Sequence, residues 1–417
     1  MVHQPPAGAR DLLPHDVNQK RWIETRLQQV FCNWGYQRII TPTIERLDTL
    51  TAGGAVDRAS VIHLQSDEEP GLGLRPELTA SIARAAATRL AEAAQPLRLY
   101  YMASVFRHEV QADVSRHLER YQAGVELLGA GSVLADAEIL LLLTQALTAL
   151  ELPSPQAASR WTLLLGEADL TRSLLDPFPG ALRKRVRQAI AHLDRIALET
   201  LPLDAALRER ALVLLDLRGQ PQQVFRRVDS LDLTGQQRQA LERLKALVQL
   251  YETSLGEACS PLILDLSLIQ PFDYYSGIVF EAVYPLENGV WTLGQGGRYD
   301  HLMALYHPER LGSAGIGFSL NIEELQQVLL AGGHLPQRPP TSQWLVIPTA
   351  EAASAAALDQ MRRLQAENPQ AGVELYLDPV TQPQMVRQFA SQRSIAQLLW
   401  VEPNGQVKTE ALGAIAP

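Results

Sequence analysis

Cysteine is nearly missing from this 417-residue sequence. Cys32 and Cys259 are the only two, far apart and in no metal-ligand spacing, so neither a disulfide framework nor a metal knuckle is expected, and both read as buried small hydrophobes in a reducing compartment. Long apolar runs are missing too: no stretch of about 18 uninterrupted apolar residues occurs. The start, MVHQPPAGARDLLP, has neither the basic residues nor the apolar run of a signal peptide. A soluble, cytoplasmic chain without a membrane partner is the expectation. Basic excess is also lacking: charged residues make up 20% and the formal net charge is -9, which gives no support for a polyanion partner. GxGxxG, P-loop and HExxH patterns are absent, and no Ser-His-Asp arrangement follows from spacing. No cofactor or metal is expected. There is neither an internal repeat nor a low-complexity tract.

What is present is ample core material, a hydrophobic fraction of 46%, in a chain long enough for two or three domains. Residues 16–35 place Trp22, Ile23, Leu27, Val30 and Phe31 at helical spacing with Gly35 as a stop. YQRIITPTIE (36–45) reads as a strand interrupted by Pro42, which belongs at an edge, a strand end or an interface. A helix is expected from Leu78 to Ala94. LRLYYMASVFRHE (97–109) and RYQAGVELLGA (120–130) read as antiparallel strands joined by a polar loop with Arg116 and His117, and 135–152 as an apolar helix. From about 153 to 258, Leu, Arg, Glu and Gln dominate with few β-branched residues, the pattern of a helical insertion. LILDLSLI, YSGIVFEAVY and VWTLGQGGRYD then read as consecutive strands of one antiparallel sheet. These make a core over 1–333. A Pro-rich linker follows at 334–343, and 344–417 alternates β-α-β-α-β as a small α/β domain.

Polar residues cluster in the strand-rich parts. Arg75, Glu77 and Thr79 alternate, as do Gln122, Gly124 and Glu126, so each set shares a face on an extended chain. Arg107 lies in FRHE, and Asp273-Tyr274-Tyr275 stands before a Ser-Gly turn. The glycines of GQGGRYD (294–300) allow close approach of a backbone to a ligand. Taken singly, each has a bland reading: a solvated strand face, an aromatic hairpin pair, a tight turn. Together Glu77, Gln122 and Glu126 supply acceptors, with Thr79, Tyr274 and Tyr275 as mixed donors and acceptors. A ligand with an ammonium group and a second cationic or donor ring suits such a pocket.

The order GARDLLP, YQRIITP, LRPELTA, VFRHE, RYQAGVELLG, FDYYSGIVFE, GQGGRYD and GIGFSLNIEEL resembles histidyl-tRNA synthetase over about residues 8–330. The resemblance implies an α+β, class II aminoacyl-tRNA synthetase-like fold: a six-stranded antiparallel sheet with flanking helices, a helical insertion, a C-terminal domain like an anticodon-binding domain, and a dimer through the segment ending at Pro42. Carried over by position, it implies that Glu77, Thr79 and Gln122 receive the ammonium of histidine. Glu126 and Tyr275 would read its imidazole, with Arg107 and Tyr274 beside them.

Two catalytic positions of that family are changed here. The family's R-G-L-D-Y-Y arginine is replaced by Gln270, followed by Pro271; losing one preorganised donor costs roughly 3 to 4 kcal/mol. The nucleotide-clamping arginine of its G-F-A-M-G-L-E-R-L motif is replaced by Glu324, which turns attraction for a polyphosphate into repulsion. At about 4 Å and an effective dielectric near 20, each sign is worth on the order of 4 kcal/mol before screening. Residues 341–417 carry five basic and seven acidic groups, unlike a phosphate-neutralising surface, so no tRNA partner is expected. This combination resembles the regulatory-subunit paralogues of ATP phosphoribosyltransferase. The resemblance implies a non-catalytic chain that joins a short phosphoribosyltransferase catalytic subunit in the first step of histidine biosynthesis and takes L-histidine as effector. The alternatives at this point are an active histidyl-tRNA synthetase and an amino-acid sensor with another partner.

Overall fold

The computed structural model describes residues 3–54, 56–65, 69–108, 118–152, 161–256, 262–268, 274–286, 289–338, 341–378 and 382–412. Two compact units divide the chain, Met1–Pro336 and Gln337–Pro417. The first is built on a nine-stranded sheet. Its order is β1 (Gln37–Arg38), β5 (Leu97–Phe106), β6 (Glu119–Leu128), β12 (Gly315–Asn321), β11 (Gly289–Arg298), β10 (Ile278–Leu286), β7 (Thr162–Glu167), β9 (Leu262–Asp265) and β8 (Arg218–Gly219). Neighbours are antiparallel except β1 with β5 and β7 with β9. A small antiparallel sheet, β2 (Ile44–Arg46), β4 (Leu72–Leu74) and β3 (Ile62–Leu64), sits beside it in sequence. The second unit orders β14 (Val373–Leu375), β13 (Trp344–Pro348), β15 (Gln397–Val401) and β16 (Val407–Ala411), with β16 antiparallel to β15.

Strand alternation divides the large sheet into two cores. Tyr100 and Met102 of β5 join Ala123, Val125 and Leu127 of β6 on one side, covered by the helices Pro14–Asn33 and Val133–Ala149. The second of these is buried nearly all round: Ile139, Leu140, Leu142, Leu143, Ala146 and Leu147 are fully inaccessible, as its apolar sequence requires. Leu99 and Tyr101 of β5 face the other way, into a cluster with Leu78, Ile82, Tyr275, Val279 and Tyr299. That second side carries the polar residues singled out in the sequence.

Several expectations change. YQRIITPTIE is not one strand but β1 and β2, which belong to different sheets. The break is fastened by Arg75, whose Nη1 donates to the carbonyls of Thr41 (2.7 Å) and Pro42 (3.3 Å) and whose Nε donates to Ser104 O. Arg75, Glu77 and Thr79 therefore do not share a face: β4 ends at Leu74, and Thr79 already opens the helix Thr79–Thr88, shorter than expected. The stretch 153–258 is not helical throughout, because β7 lies inside the sheet, between β10 and β9. Its run Leu163-Leu164-Leu165 is buried on both faces, which erases the alternation that marks a half-exposed strand. β9 pairs with β7, not with β10. Cys32, in the last turn of its helix, is exposed rather than buried, with its Sγ 4.0 Å from the Tyr100 hydroxyl. Cys259, Arg116, His117, Gln270, Pro271 and Asp273 lie outside the described residues. Among the described residues no helix is long and apolar enough to cross a membrane.

Candidate functional site

Seven side chains chosen from the sequence, Glu77, Thr79, Arg107, Gln122, Glu126, Tyr274 and Tyr275, line a single cleft on the second side of the large sheet. β6 supplies its floor. Gln122 and Glu126 project from the same face of that strand, and Gln122 Nε2 reaches Asn321 Oδ1 of β12 at 3.4 Å. Two glycines on neighbouring strands make the floor possible. A Cβ on Gly317 of β12 would lie 2.0 Å from Glu126 Oε2, and one on Gly296 of β11 would lie 2.2 Å from the carbonyl of Gly317. Neither position tolerates a side chain without displacing the carboxylate or the backbone.

Glu77 closes one end as a helix cap. Its carboxylate accepts the backbone N–H groups of Thr79 (2.5 Å) and Ala80 (2.8 Å), satisfying donors that the first helical turn leaves orphaned. Burial pushes its carboxyl up, while the Ala80 N–H and the Arg107 guanidinium pull it back. Arg107 is anchored by its Nε on the carbonyl of Pro76 at 2.7 Å. The opposite wall is aromatic: Tyr274 packs on Tyr275 with ring centroids 4.8 Å apart and stands edge-on to Tyr299 at 5.8 Å.

Glu126 is the centre. It is 2% exposed and accepts hydrogen bonds from Thr79 Oγ1 (2.7 Å) and from the Tyr299 hydroxyl. Burial pushes its carboxyl up to about 8; the two hydroxyl donors oppose that rise and Glu77 adds to it. Among the described residues no cation is bonded to this deep carboxyl, which favours a ligand that brings positive charge or N–H donors. The room left among these side chains is about 30 Å3, enough for a water or two. A ligand larger than that needs the side chains lining the cleft to move. Tyr101, Gln295, Tyr299 and Ser319 also line the cleft and were not singled out. Tyr299 could have been: it alternates with Arg298 in the quoted GQGGRYD.

Glu324, at the start of the helix Ile322–Ala331, is paired with Arg120 of β6, Nη1 to Oε1 at 3.3 Å, while neighbouring Glu323 accepts the backbone N–H of Tyr121 at 2.9 Å. One strand-end cation is thereby neutralised from within the chain.

A largely antiparallel sheet, of nine strands with two parallel pairings rather than the six antiparallel strands expected, flanked by helices and carrying an acceptor-rich pocket on one face, is the core architecture of a class II aminoacyl-tRNA synthetase. The family described as histidyl-tRNA synthetase matches residues 8–325. A protein of Synechococcus elongatus named ATP phosphoribosyltransferase regulatory subunit is 60% identical over 412 residues, 99% of this chain and 98% of that protein. One of the same name from Nostoc punctiforme is 54% identical, covering 99% of this chain and all of its own. Among solved structures, an ATP phosphoribosyltransferase regulatory subunit/histidyl-tRNA synthetase from Bacillus halodurans superposes with a TM-score of 0.79 at 26% identity, over 96% of this chain and 99% of that one. A histidyl-tRNA synthetase from Nostoc superposes with 0.77 at 18% identity, over 98% and 97%, a likeness of fold. The chain belongs to the ATP phosphoribosyltransferase regulatory subunits, a family with the histidyl-tRNA synthetase fold.

Proposed function

We propose that this chain is the non-catalytic regulatory subunit of an ATP phosphoribosyltransferase, joined to a separate catalytic chain, and that L-histidine binds its central cleft as the inhibitory effector. One observation carries the reading: seven side chains from four separate stretches of sequence converge on one buried, acceptor-rich cleft, while Glu324 stands ion-paired to Arg120. Glu126 and Tyr275 suit an imidazole, and Glu77, Thr79 and Gln122 suit an ammonium group. Because the cleft holds only a water or two as it stands, ligand entry must rearrange Thr79 and Tyr299. A ligand that binds two arrangements unequally shifts the equilibrium between them, and a coupling of about 1 to 3 kcal/mol gives a 5- to 150-fold effect on the partner's activity.

Two further partner assignments follow. Ile40 (80% exposed) and Ile44 (50%) flank Pro42, a surface suited to self-association; a light-scattering mass of one chain would remove it. In the second unit, Arg362 and Arg363 pair with Asp359, Arg387 with Glu410 and Arg393 with Glu374, which leaves little free positive charge for tRNA. The deciding experiment is co-expression with a short phosphoribosyltransferase chain. Stable association, activity that depends on this subunit, and histidine inhibition of the complex alone are expected. A catalytic chain fully active and equally histidine-sensitive without it would overturn the reading.

A further inference from the structure

A larger cavity, about 480 Å3, lies against the opposite side of the same strand ends, between the helices Ala168–Leu174 and Gly235–Leu255. Its volume is in the range of small-molecule sites, and it shares no lining residue with the histidine cleft. The two are separated by one layer of backbone. Along β11 and beyond, Tyr299 faces the first cleft while Arg298 and Asp300 face the second; along the approach to β10, Tyr275 faces the first while Ser276 and Gly277 face the second.

The second cavity has a buried acid at its base. Glu167 is 8% exposed. Its Oε2 caps the adjoining helix by accepting the N–H of Leu170, and among the described residues its Oε1 has no hydrogen-bond partner. Burial pushes this carboxyl up to about 7, with Asp169 adding to the rise and Arg243 and Arg172 only partly opposing it. Neither arginine is bonded to Glu167: Arg172 donates to Asp169 and to the carbonyl of Tyr275, and Arg243 donates to Gly131 O with Asp136 at 4.0 Å. Asp300 lies on the same wall, its Oδ1 2.9 Å from Arg298 Nη1. Among the described residues Glu167 thus has no cation bonded to it, and the acids lining the cavity outnumber the arginines.

We propose that this cavity is a second ligand site, for a small molecule carrying a guanidinium or ammonium group that pairs with Glu167, and that its occupancy is felt in the histidine cleft through Tyr275. The route is short. Arg172 holds the Tyr275 carbonyl from the second cavity at 3.1 Å, while the Tyr275 ring forms part of the first. A cation on Glu167 and its neighbour Asp169 competes for the acids that Arg172 now faces.

The test is calorimetric titration of the full chain with agmatine, which carries both cationic groups and lacks a carboxylate. Saturable binding is expected, weakened roughly tenfold or more by Glu167→Gln, the scale of one charged hydrogen bond, and unchanged by Glu126→Gln. The amide oxygen of Gln can still accept the Leu170 N–H, so the cap is kept; Ala240→Phe, which fills the cavity from the long helix, gives an independent block. Agmatine should also change the histidine affinity of the wild type and leave that of Glu167→Gln untouched. Absence of saturable binding, equal affinity in both Glu167→Gln and Ala240→Phe, or loss of binding in Glu126→Gln would each overturn the proposal. So would agmatine that leaves histidine affinity unaltered.

Discussion

Replacing Glu126 with Gln should weaken histidine binding and stabilise the free protein at the same time. The carboxyl titrates near 8 in the folded chain against an ordinary value of 4.5. For an acid whose pKa is raised on folding, the cost is absent below about pH 4.5, where both states are protonated. It then grows as pH rises through the window from 4.5 to 8. At pH 7 that window corresponds to roughly 3 kcal/mol of lost stability. The glutamine removes the penalty but cannot accept from both Tyr299 and Thr79, since one of its termini is a donor; one mismatched buried bond costs about 1 to 2 kcal/mol. A net gain of about 1 to 2 kcal/mol should remain, a rise in Tm of a few degrees for a unit of this size. The gain should vanish at pH 5. Histidine should bind roughly 10- to 100-fold more weakly, the scale of a charged hydrogen bond. Thermal melts at pH 5 and 8 with calorimetry on both forms check it. Unchanged histidine affinity, or a Tm lowered equally at both pH values, would refute the electrostatic account of Glu126.

Arg298→Met should cost about 3 to 5 kcal/mol, because Arg298 Nε holds buried Asp136 at 2.8 Å. Denaturant melts should show a larger loss at pH 8 than at pH 5, where protonation relieves the stranded carboxyl. Gly317→Ala should abolish histidine binding even where folding survives, since the new Cβ falls within van der Waals radius of Glu126 Oε2; retained affinity by calorimetry would contradict the floor geometry. Glu324→Arg should not restore ATP binding. It should lower the melting temperature, by breaking the pair with Arg120 and placing two cations together.

The site was more legible in the sequence than the sheet that carries it. Gln122 and Glu126 followed from period-two alternation, and β6 is long and regular enough for that rule to hold. Glu77 and Thr79 were also identified, though by a geometry that does not occur: they meet because a strand turns into a helix between them, not because they share a strand face. β7 was missed for a physical reason. A strand buried on both faces within a Leu-rich stretch carries neither alternation nor β-branched bias, and only its partners on either side define it. Tyr299 was hidden because GQGGRYD advertises its glycines first, and the hydroxyl on Glu126 is a contact between residues 173 apart in sequence. The second cavity left no sequence signal, since helices distant in the chain form its walls.

The bond between Arg120 and Glu324 also bears on how such a chain could change its chemistry. Restoring an arginine at position 324 would not simply rebuild a clamp, because a like charge already waits a few ångströms away. A chain wired in this way is held by its own counterion, and a phosphate clamp at this position would need at least two changes together.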